Sequence, residues 1–468
     1  MLRWIGILVV FALVAFGCTY YIAGRQAPPQ ITISKPSATV GQRGTLAIDA
    51  RGARLATLTA TLQQNGRTVP LFSLDAPQGA KVDRSDAGIT VERPFGKESV
   101  PELQEGPAQI VVAAVRRWFL GLRTLSAQQT RDVQVRLQPP RVSVVSTHHY
   151  VNHGGSEMVV YKATPPDVTS GVRVGTVEYP GFPAAGAGAG NDPALRIAFF
   201  ALLHEQTVAD RIVVFARDEA GNEATASFVD NVFEKPFKNS RIEIDDKFLQ
   251  RVVPEILEHS PELKLAAPTT GDLVPAFLKI NGDLRRMNAD RIADLTRPSS
   301  TSRLWNGPFV QLGNSQVEAG FADHRTYLRS GKEIDQQTHL GFDLAVTANV
   351  PVVAANAGKV LNASWLGIYG NCVIIDHGMG VASLYGHLSS FDVGVGDTVT
   401  KGQTIGKSGM TGLAGGDHLH FTMLVGGHPV NPVEWWDAHW IEDRVNRKLR
   451  EAGASLAPET PSPMKTGR

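Results

Sequence analysis

Two histidines stand one residue apart in the stretch GGDHLHFTML, at positions 418 and 420. Successive side chains of a β-strand point to opposite faces, so His418 and His420 would share one face, about 7 Å apart, while Leu419 and Phe421 face a core. Two imidazoles on one face are suited to metal binding and proton transfer. On this stretch alone, two polar residues on the solvent face of an antiparallel strand remain an equally good interpretation.

A second pair of chemically capable residues is His339 and Asp343 in HLGFD. A spacing of four would suit a helix face, but the glycine in the run and its continuation as LAV favour a strand. Four extended residues span about 13 Å, whereas two ligands of one zinc ion must have donor atoms within about 4 Å. The backbone must therefore bend between them, and Gly341 is where a bend costs least.

The elements around these residues are predicted to be short strands joined by sharp glycine turns. GNCVIIDHGMGVASLYGHLSS, 370–390, predicts a hairpin with His377 at its turn and His387 in its second strand. GDTVTKGQTIGKSGMTG, 396–412, is rich in glycine and threonine, as tight β turns require. Eight of the thirteen histidines lie between 324 and 439, so this part of the chain is the candidate site.

The ordered series HLGFD, IDHG, LYGHL, VGDTVTKGQTIGKSGMTG and HLHF resembles the lysostaphin-type zinc endopeptidases of the LytM class. The resemblance covers residues 337–433 and implies that zinc is held by His339, Asp343 and His420. It further implies that His387 and His418 are catalytic. Two histidines and one carboxylate leave a fourth zinc position open for water, which the zinc makes acidic while it polarises the scissile carbonyl.

The resemblance also ranks the remaining candidates. His377 matches a position that is usually structural in the family. His324, Arg325 and Tyr327 precede HLGFD in a region that varies in the family, so they are only candidate substrate contacts. Cys372 is predicted to be a small buried apolar residue.

Composition limits the class of protein. A chain of 468 residues with 43% hydrophobic residues can form roughly three domains with cores. Its formal net charge is +1 and it has no basic patch, which argues against a nucleic-acid partner. The two cysteines, Cys18 and Cys372, are far apart in sequence and environment, so neither a disulfide between them nor a cysteine metal site is expected.

The first residues predict membrane insertion. No charge occurs from Trp4 to Ala23, a length just sufficient to cross a bilayer, and Arg3 precedes the run. We expect an uncleaved single-pass anchor in the inner (cytoplasmic) membrane, with the remainder on the periplasmic or extracytoplasmic side. A cleaved signal peptide is the alternative.

The predicted fold is mainly β. It comprises an anchor or signal (1–28), two immunoglobulin-like β-sandwich modules (29–139 and 140–238), a helical segment (239–300), a barrel-sandwich-like zinc metallopeptidase domain (301–440), and a short helix with a disordered tail (441–468). FLQRVVPEILE predicts a helix that Pro254 kinks or splits. FLKINGDLRRMNADRIADL predicts a helical pair broken at Asn281-Gly282, and AAGAGAG, 184–190, predicts a loop.

The function implied by the resemblance is a membrane-anchored zinc endopeptidase, with one Zn²⁺ per chain, that hydrolyses peptide cross-links of peptidoglycan. The alternative is a non-catalytic or latent LytM-type module that binds cell wall and activates other wall hydrolases, which would require a protein partner. The helices of 245–300 or the loop of 313–335 could occlude the site. A carrier domain using Lys401 is disfavoured, because a carrier has no use for the histidines.

Overall fold

The computed structural model describes residues 2–23, 27–118, 121, 123–265 and 271–455. It is mainly β, 44% strand and 19% helix, as the sequence predicts. Two compact units form: Met1–Pro140 with Arg217–Glu223, and Arg141–Ala216 with Ala224–Arg468. This division does not test the six-part domain scheme, which stays a prediction. The tail expected to be disordered lies, from residue 456 on, outside the described residues.

The first unit begins with the helix Leu2–Ala23. Its segment Trp4–Tyr21 is long and apolar enough to cross a membrane, and none of it is buried. An exposed apolar helix of this kind is compatible with both a membrane anchor and a signal sequence.

Two antiparallel-rich sheets complete the first unit, and they share one hydrophobic core that includes Leu46, Leu58 and Ile110. Asn65 and Gly66, both with positive φ, form a two-residue turn between two adjacent strands. In sheet order, the strands are Gln30–Lys35, Thr45–Arg51, Gly88–Pro94 and Lys81–Ser85 in one sheet, and Thr39–Val40, Arg123–Val135, Gly106–Trp118, Leu55–Gln64 and Arg67–Ser73 in the other.

The second unit starts with two four-stranded sheets and a strand pair. The run predicted as a loop at 184–190 contains one turn of 3₁₀ helix, Ala184–Ala187, which ends at Gly188 in the left-handed region. In sheet order, the strands are Arg141–Val144, Ser156–Thr164, Leu195–Ala201 and Phe182–Pro183; then Val177–Pro180, Thr169–Val174, Ile212–Arg217 and Glu223–Ser227; then Tyr150–Asn152 and Asn231–Phe233. Whether either β module is immunoglobulin-like stays a prediction.

The helical segment has no split at Pro254, one of the two expectations there, and no break at Asn281-Gly282. Pro254 lies inside one continuous helix, Asp246–His259, which the Asp245 side chain caps. The expected break at Asn281-Gly282 is a π-helical turn, Ile280–Leu284, between the helices Val274–Lys279 and Arg285–Thr296. A π turn adds a residue without ending the helix, so a glycine that signals a break in sequence is accommodated inside a continuous helix. A 3₁₀ turn, Pro261–Leu263, follows the first helix.

The remaining strands of the second unit form one large sheet and two small ones. The large sheet runs Gln316–Ala319, Phe342–Ala345, His418–Val425, Val381–Leu388, Asn371–Gly378, Gly358–Trp365 and Thr398–Val399, with His428–Val430 beside His418–Val425. The small sheets are Asn239–Glu243, Asp323–Arg329 and Lys332–His339, and Pro351–Val353, Thr404–Lys407 and Ser390–Phe391. A 3₁₀ turn, Gly367–Tyr369, leads into the strand Asn371–Gly378.

The last described part of the chain contacts the β strands at the start of the second unit. The helical elements Pro432–Trp436, Ala438–Ile441, Glu442–Asn446 and Arg447–Glu451 end the described chain. The Lys448 ammonium lies 2.8 Å from the Glu157 carboxylate, and both side chains are fully buried. The Glu434 carboxylate accepts hydrogen bonds from the Asn152 amide and the Ser156 backbone N–H. Buried polar groups with their partners in place therefore join these strands to the end of the chain.

We predict that Lys448→Met lowers the free energy of unfolding by about 3–5 kcal/mol, because it removes the closest cation of the buried Glu157 carboxylate and leaves only Arg444, at 3.8 Å. Adding Glu157→Gln should recover most of this loss. Lys162→Met is the control, since its ion pair with Asp192 is half-exposed and should contribute at most about 1 kcal/mol. Urea unfolding followed by tryptophan fluorescence measures all three; equal losses in the Lys448 and Lys162 variants would contradict the prediction.

Candidate metal and catalytic site

Three side chains converge on one point: two from neighbouring strands of the large sheet and one from the end of the strand Lys332–His339. His339 Nε2 lies 2.9 Å from Asp343 Oδ1 and 3.1 Å from His420 Nδ1, and His420 Nδ1 lies 3.0 Å from the same carboxylate oxygen. All three side chains are nearly buried. Within the described part of the chain, this is the one cluster of histidine, cysteine and acidic residues with metal-binding spacing.

The strands account for this convergence. Asp343 and His420 are directly paired residues of two antiparallel strands. His339 ends the strand Lys332–His339, and the chain leaves strand geometry at Leu340 and Gly341 before Phe342–Ala345 begins. The backbone therefore bends inside HLGFD, as the spacing predicts, and turns the histidine and the aspartate toward each other.

The outer hydrogen bonds decide which nitrogens carry protons. His339 Nδ1 lies 3.0 Å from the Gly320 carbonyl oxygen, which can only accept, so Nδ1 donates and Nε2 keeps its lone pair in the neutral ring. The Thr422 hydroxyl donates to the Leu340 carbonyl oxygen, so it accepts from His420 Nε2–H at 3.0 Å. His420 Nδ1 then keeps its lone pair as well. Two lone pairs and a carboxylate oxygen thus face one point.

This donor set fits a metal ion. Burial lowers the pKa of His420 to about 4, so its ring is neutral at physiological pH. Burial opposes ionisation of Asp343, but the surrounding histidines outweigh it and hold the pKa of that carboxyl well below its usual value. Two neutral imidazoles and one carboxylate, each with an outer hydrogen-bond partner, are the ligands of many catalytic zinc sites.

The glycine of HLGFD is required by a close approach rather than by its backbone angles. A Cβ atom on Gly341 would lie 2.5 Å from His420 Nε2 and 2.7 Å from Thr422 Oγ1. Such distances are shorter than any normal contact, and Gly341 is not among the described glycines with positive φ. The chain therefore bends at the predicted position, and the close approach of His420 and Thr422 is a reason for glycine there that the sequence did not show.

Arg325 orients the aspartate. Its guanidinium donates to Asp343 Oδ2 at 2.9 Å, and its Nε lies 3.7 Å from Asp323. Because one carboxylate oxygen of Asp343 is held by Arg325, the other is presented to the histidines. Arg325, a candidate substrate contact from sequence, thus supports the ligand set.

His387 and His418 stand beside the three converging side chains. Their rings are 4.8 Å apart between centroids, and the ring of His387 is 5.8 Å from that of His420. His387 Nδ1 donates to the Thr411 carbonyl oxygen at 2.7 Å, and His418 Nδ1 donates to the Gly416 carbonyl oxygen at 2.8 Å. His387 Nε2 has no hydrogen-bond partner among the described residues, whereas His418 Nε2 faces the Asp343 carboxylate at 3.5 Å. Both rings are nearly buried, which excludes the solvent-face interpretation of HLH.

The backbone at His387 is strained. His387 has a φ of +63° near the end of the strand Val381–Leu388, where the pairing with Asn371–Gly378 shifts register. A non-glycine residue in the left-handed region costs on the order of 1–3 kcal/mol and persists where function requires it. This bulge aims the imidazole at the site instead of leaving it in the strand's alternating pattern.

The two histidines have opposite electrostatic surroundings. Burial, with the neighbouring rings of His418 and His420, holds the pKa of His387 well below its usual value. Burial would also lower the pKa of His418, but its hydrogen bond to Asp343 and that residue's charge outweigh burial and raise it. A neutral group and a protonatable group therefore lie side by side, as general acid–base chemistry needs.

The site opens into a small cavity of about 90 Å³. Arg325 and Tyr327 line it, whereas His324 does not: its ring packs against Phe237 and its Nδ1 contacts Thr338. His377, predicted to be structural, is fully buried between the Ala357 carbonyl oxygen and the Ser383 hydroxyl, away from the cluster. Cys372 is fully buried, as predicted.

The cavity also contains residues that sequence reasoning missed. Arg285, from the helical segment, and Tyr369, from a 3₁₀ turn, both line it. Neither lies in a recognisable motif, so only packing reveals them. Thr422 was also missed, although its place two residues after His420, on the same strand face, was a usable signal.

A larger groove of about 880 Å³ adjoins the cavity and shares with it Asp343, His418, Arg325 and Tyr327. Its other wall is formed by the strand Asn239–Glu243 and the start of the helix Asp246–His259. The candidate metal-binding cluster therefore lies where a small cavity meets a larger groove.

Comparison with known proteins assigns this region to a family. Residues 337–432 match Peptidase family M23, and that range contains all five clustered residues. The chain therefore carries a peptidase M23 domain.

Curated relatives share this domain. The DD-carboxypeptidase/endopeptidase Mpg of Neisseria meningitidis serogroup B is 43% identical over 95 residues, which are 20% of this chain and 22% of the relative. The peptidoglycan DD-endopeptidase ShyA of Vibrio cholerae is 40% identical over 96 residues, 20% and 22% of the two chains. The murein hydrolase activator EnvC of Escherichia coli is 38% identical over 95 residues, 20% and 23%. The matched region spans about a fifth of these relatives.

Among solved structures, the catalytic domain of lysostaphin from Staphylococcus simulans is similar to this chain at 30% identity. The match covers 26% of this chain and 92% of that domain, with a TM-score of 0.23.

We predict that Gly341→Ala lowers zinc affinity about 10- to 100-fold, because the added methyl group displaces the His420 ring. Gly320→Ala is the matched control, since its Cβ would meet only Phe342 at 3.8 Å and its carbonyl would still accept from His339. Competition with a chromophoric chelator measures both affinities. Unchanged affinity in the Gly341 variant would refute the steric argument.

Proposed function

We propose that the chain is a zinc endopeptidase that hydrolyses peptide cross-links of peptidoglycan. The observation that carries this proposal is the complete set of five residues: His339, Asp343 and His420 as ligands, with His387 and His418 free beside them. The M23 domain and the names of Mpg and ShyA supply the reaction and the substrate class. A module that only binds cell wall would have no use for a strained histidine aimed at a metal site.

The five residues and Arg325 have different roles in the proposed reaction. Zinc, when bound by the three ligands, would act as a Lewis acid on the scissile carbonyl and on water. His387, kept neutral by burial, accepts the proton from the attacking water through Nε2. His418, whose Nε2 faces Asp343 at 3.5 Å, holds a proton that it can give to the leaving amine. Arg325 keeps Asp343 in place throughout.

We place the reaction outside the cytoplasmic membrane, with the chain anchored by Leu2–Ala23. The exposed apolar helix supports this location, and peptidoglycan, the proposed substrate, lies on that side of the membrane. If the helix were instead a cleaved signal sequence, the mature chain would lie on the same side of the membrane but would not be anchored to it.

A latent or activating module is the second candidate, and two observations favour it. EnvC, named as an activator, matches the same domain. The helix Asp246–His259 also holds the loop before His418, since Arg251 donates to the carbonyl oxygens of Met410 and Ala414. The cavity of about 90 Å³ is well below the range of about 300–1,000 Å³ usual for ligand pockets, so a substrate must enter from the groove or displace the helices.

The deciding experiment follows release of cross-linked peptides from purified peptidoglycan by the zinc-loaded full chain. We expect His420→Ala to lose zinc and activity together. His387→Ala and His418→Ala should keep zinc and lose about 10²- to 10⁴-fold in rate. His439→Ala, an exposed histidine, is the control. Bound zinc without hydrolysis by the wild-type chain would favour the latent module.

The two opposite pKa shifts predict a broad pH profile. The base works only when neutral, so the lowered pKa of His387 puts the acid limb of activity below the usual histidine value of about 6.5. The acid works only when protonated, so the raised pKa of His418 puts the alkaline limb above it. The dependence of kcat/KM on pH tests this, and a profile with both limbs on the same side of 6.5 would contradict the assignment.

A further inference from the structure

Arg285 brings a cation into the catalytic cavity from the helical segment, outside the M23 match. It is the first residue of the helix Arg285–Thr296, directly after the π turn, and it lines the cavity together with His387, His418 and His420. Its Nε and Nη2 donate to the carbonyl and side-chain oxygens of Asn281 at 3.1 and 2.7 Å. In the part of the chain that the structure describes, its guanidinium forms no ion pair and its Nη1 donates no hydrogen bond.

The two arginines of the cavity differ in whether an acidic side chain already pairs with their charge. Arg325 is neutralised by Asp343 and lies close to Asp323, so it has little capacity for another anion. Arg285 contacts only the neutral Asn281, whose amide in turn donates to Asp335 at 2.7 Å. A partly buried guanidinium that keeps a free donor is a strong recognition group for a carboxylate.

The position of Arg285 is fixed relative to the metal ligands. Asn281 is fully buried, and Asp335 belongs to the strand Lys332–His339 that ends at a ligand. The nearby Ile368 N–H donates to the Asn288 side chain, which holds the same helix against the turn that carries Tyr369. This network supports a preformed position for the cation rather than a flexible surface arginine.

A second free donor lies beside it. Tyr369 packs its ring against His420, with centroids 5.3 Å apart, and its hydroxyl has no hydrogen-bond partner among the described residues. Arg285 and Tyr369 both line this cavity. Two donors without acceptors in one small cavity are an arrangement that an anionic oxygen pair would satisfy.

The shape of the site orients the substrate. The long groove and the small cavity meet at Asp343 and His418, so a peptide lying in the groove would reach the cluster and continue only a short way toward Arg285. A cavity of about 90 Å³ has room for little more than one small residue and its carboxylate.

We propose that Arg285, with Tyr369, binds a free carboxylate of the substrate close to the scissile bond, and so selects peptides that carry one. The carboxylate is either the C-terminus of an uncross-linked peptide or a side-chain carboxylate of a cross-linked one. Arg285 is then a specificity-determining residue of the catalytic cavity. This inference rests on the proposed peptidase function.

The test compares kcat/KM of the zinc-loaded full chain on matched substrates. These are a peptide ending in D-Ala-D-Ala with a free carboxylate, the same peptide as its amide, and a cross-linked peptide dimer. We expect the wild type to prefer the acid over the amide, and Arg285→Gln to lose about 10- to 100-fold on the acid and less than about twofold on the amide. Arg285→Lys should recover part of the loss. Arg286→Gln is the control, since Arg286 is exposed and pairs with Asp283.

The outcomes separate the inference from the function on which it rests. A selective loss on the dimer rather than the acid would assign a side-chain carboxylate. Equal losses on acid, amide and dimer, or no loss on any of the three, would overturn the inference. If the wild type hydrolyses no substrate, the proposed function fails. Calorimetric binding of acid and amide peptides then decides: tighter binding of the acid that Arg285→Gln abolishes supports carboxylate recognition, and equal binding refutes it.

Discussion

Two imidazole lone pairs and a carboxylate oxygen held about 3 Å apart repel one another unless a cation lies between them, and much of the second unit keeps them there. The carbonyl oxygen of Gly320 and the hydroxyl of Thr422 set the tautomers of His339 and His420. Arg325 fixes which oxygen of Asp343 is presented. The absence of a side chain at position 341 lets the His420 ring approach the backbone. Each of these features helps to direct the three donor atoms toward one point.

The proton-transfer groups follow a different physical principle. His387 and His418 are neighbours in space, yet burial dominates the first and the Asp343 charge dominates the second. Their assignment as base and acid therefore arises from surroundings rather than from residue type. The backbone at His387 must be strained to place its ring against the cluster from the adjacent strand.

Elements outside the M23 domain contribute to the same unit. The helical segment supplies Arg285 to the cavity and, through Arg251, holds the loop before His418. The final helices are joined to the preceding β strands through the buried Lys448–Glu157 pair and Glu434. The lining of the cavity thus includes residues from neighbours of the domain, and relatives that share only about a fifth of their length with this chain need not share them.

The sequence by itself determined the mainly β class, the exposed apolar helix and the motif residues. Strand alternation places His418 and His420 on one face, and glycine turns mark the hairpins, because these depend on near neighbours in the chain. The π turn at Asn281-Gly282 was not predictable, and the sequence left open whether Pro254 splits its helix, since packing can override the local signal of a glycine or a proline. Only the tertiary structure decided the tautomers, the role of Arg325, the steric reason for Gly341 and the presence of Arg285 in the cavity. Each depends on atoms brought together from distant parts of the chain, and no local pattern records such contacts.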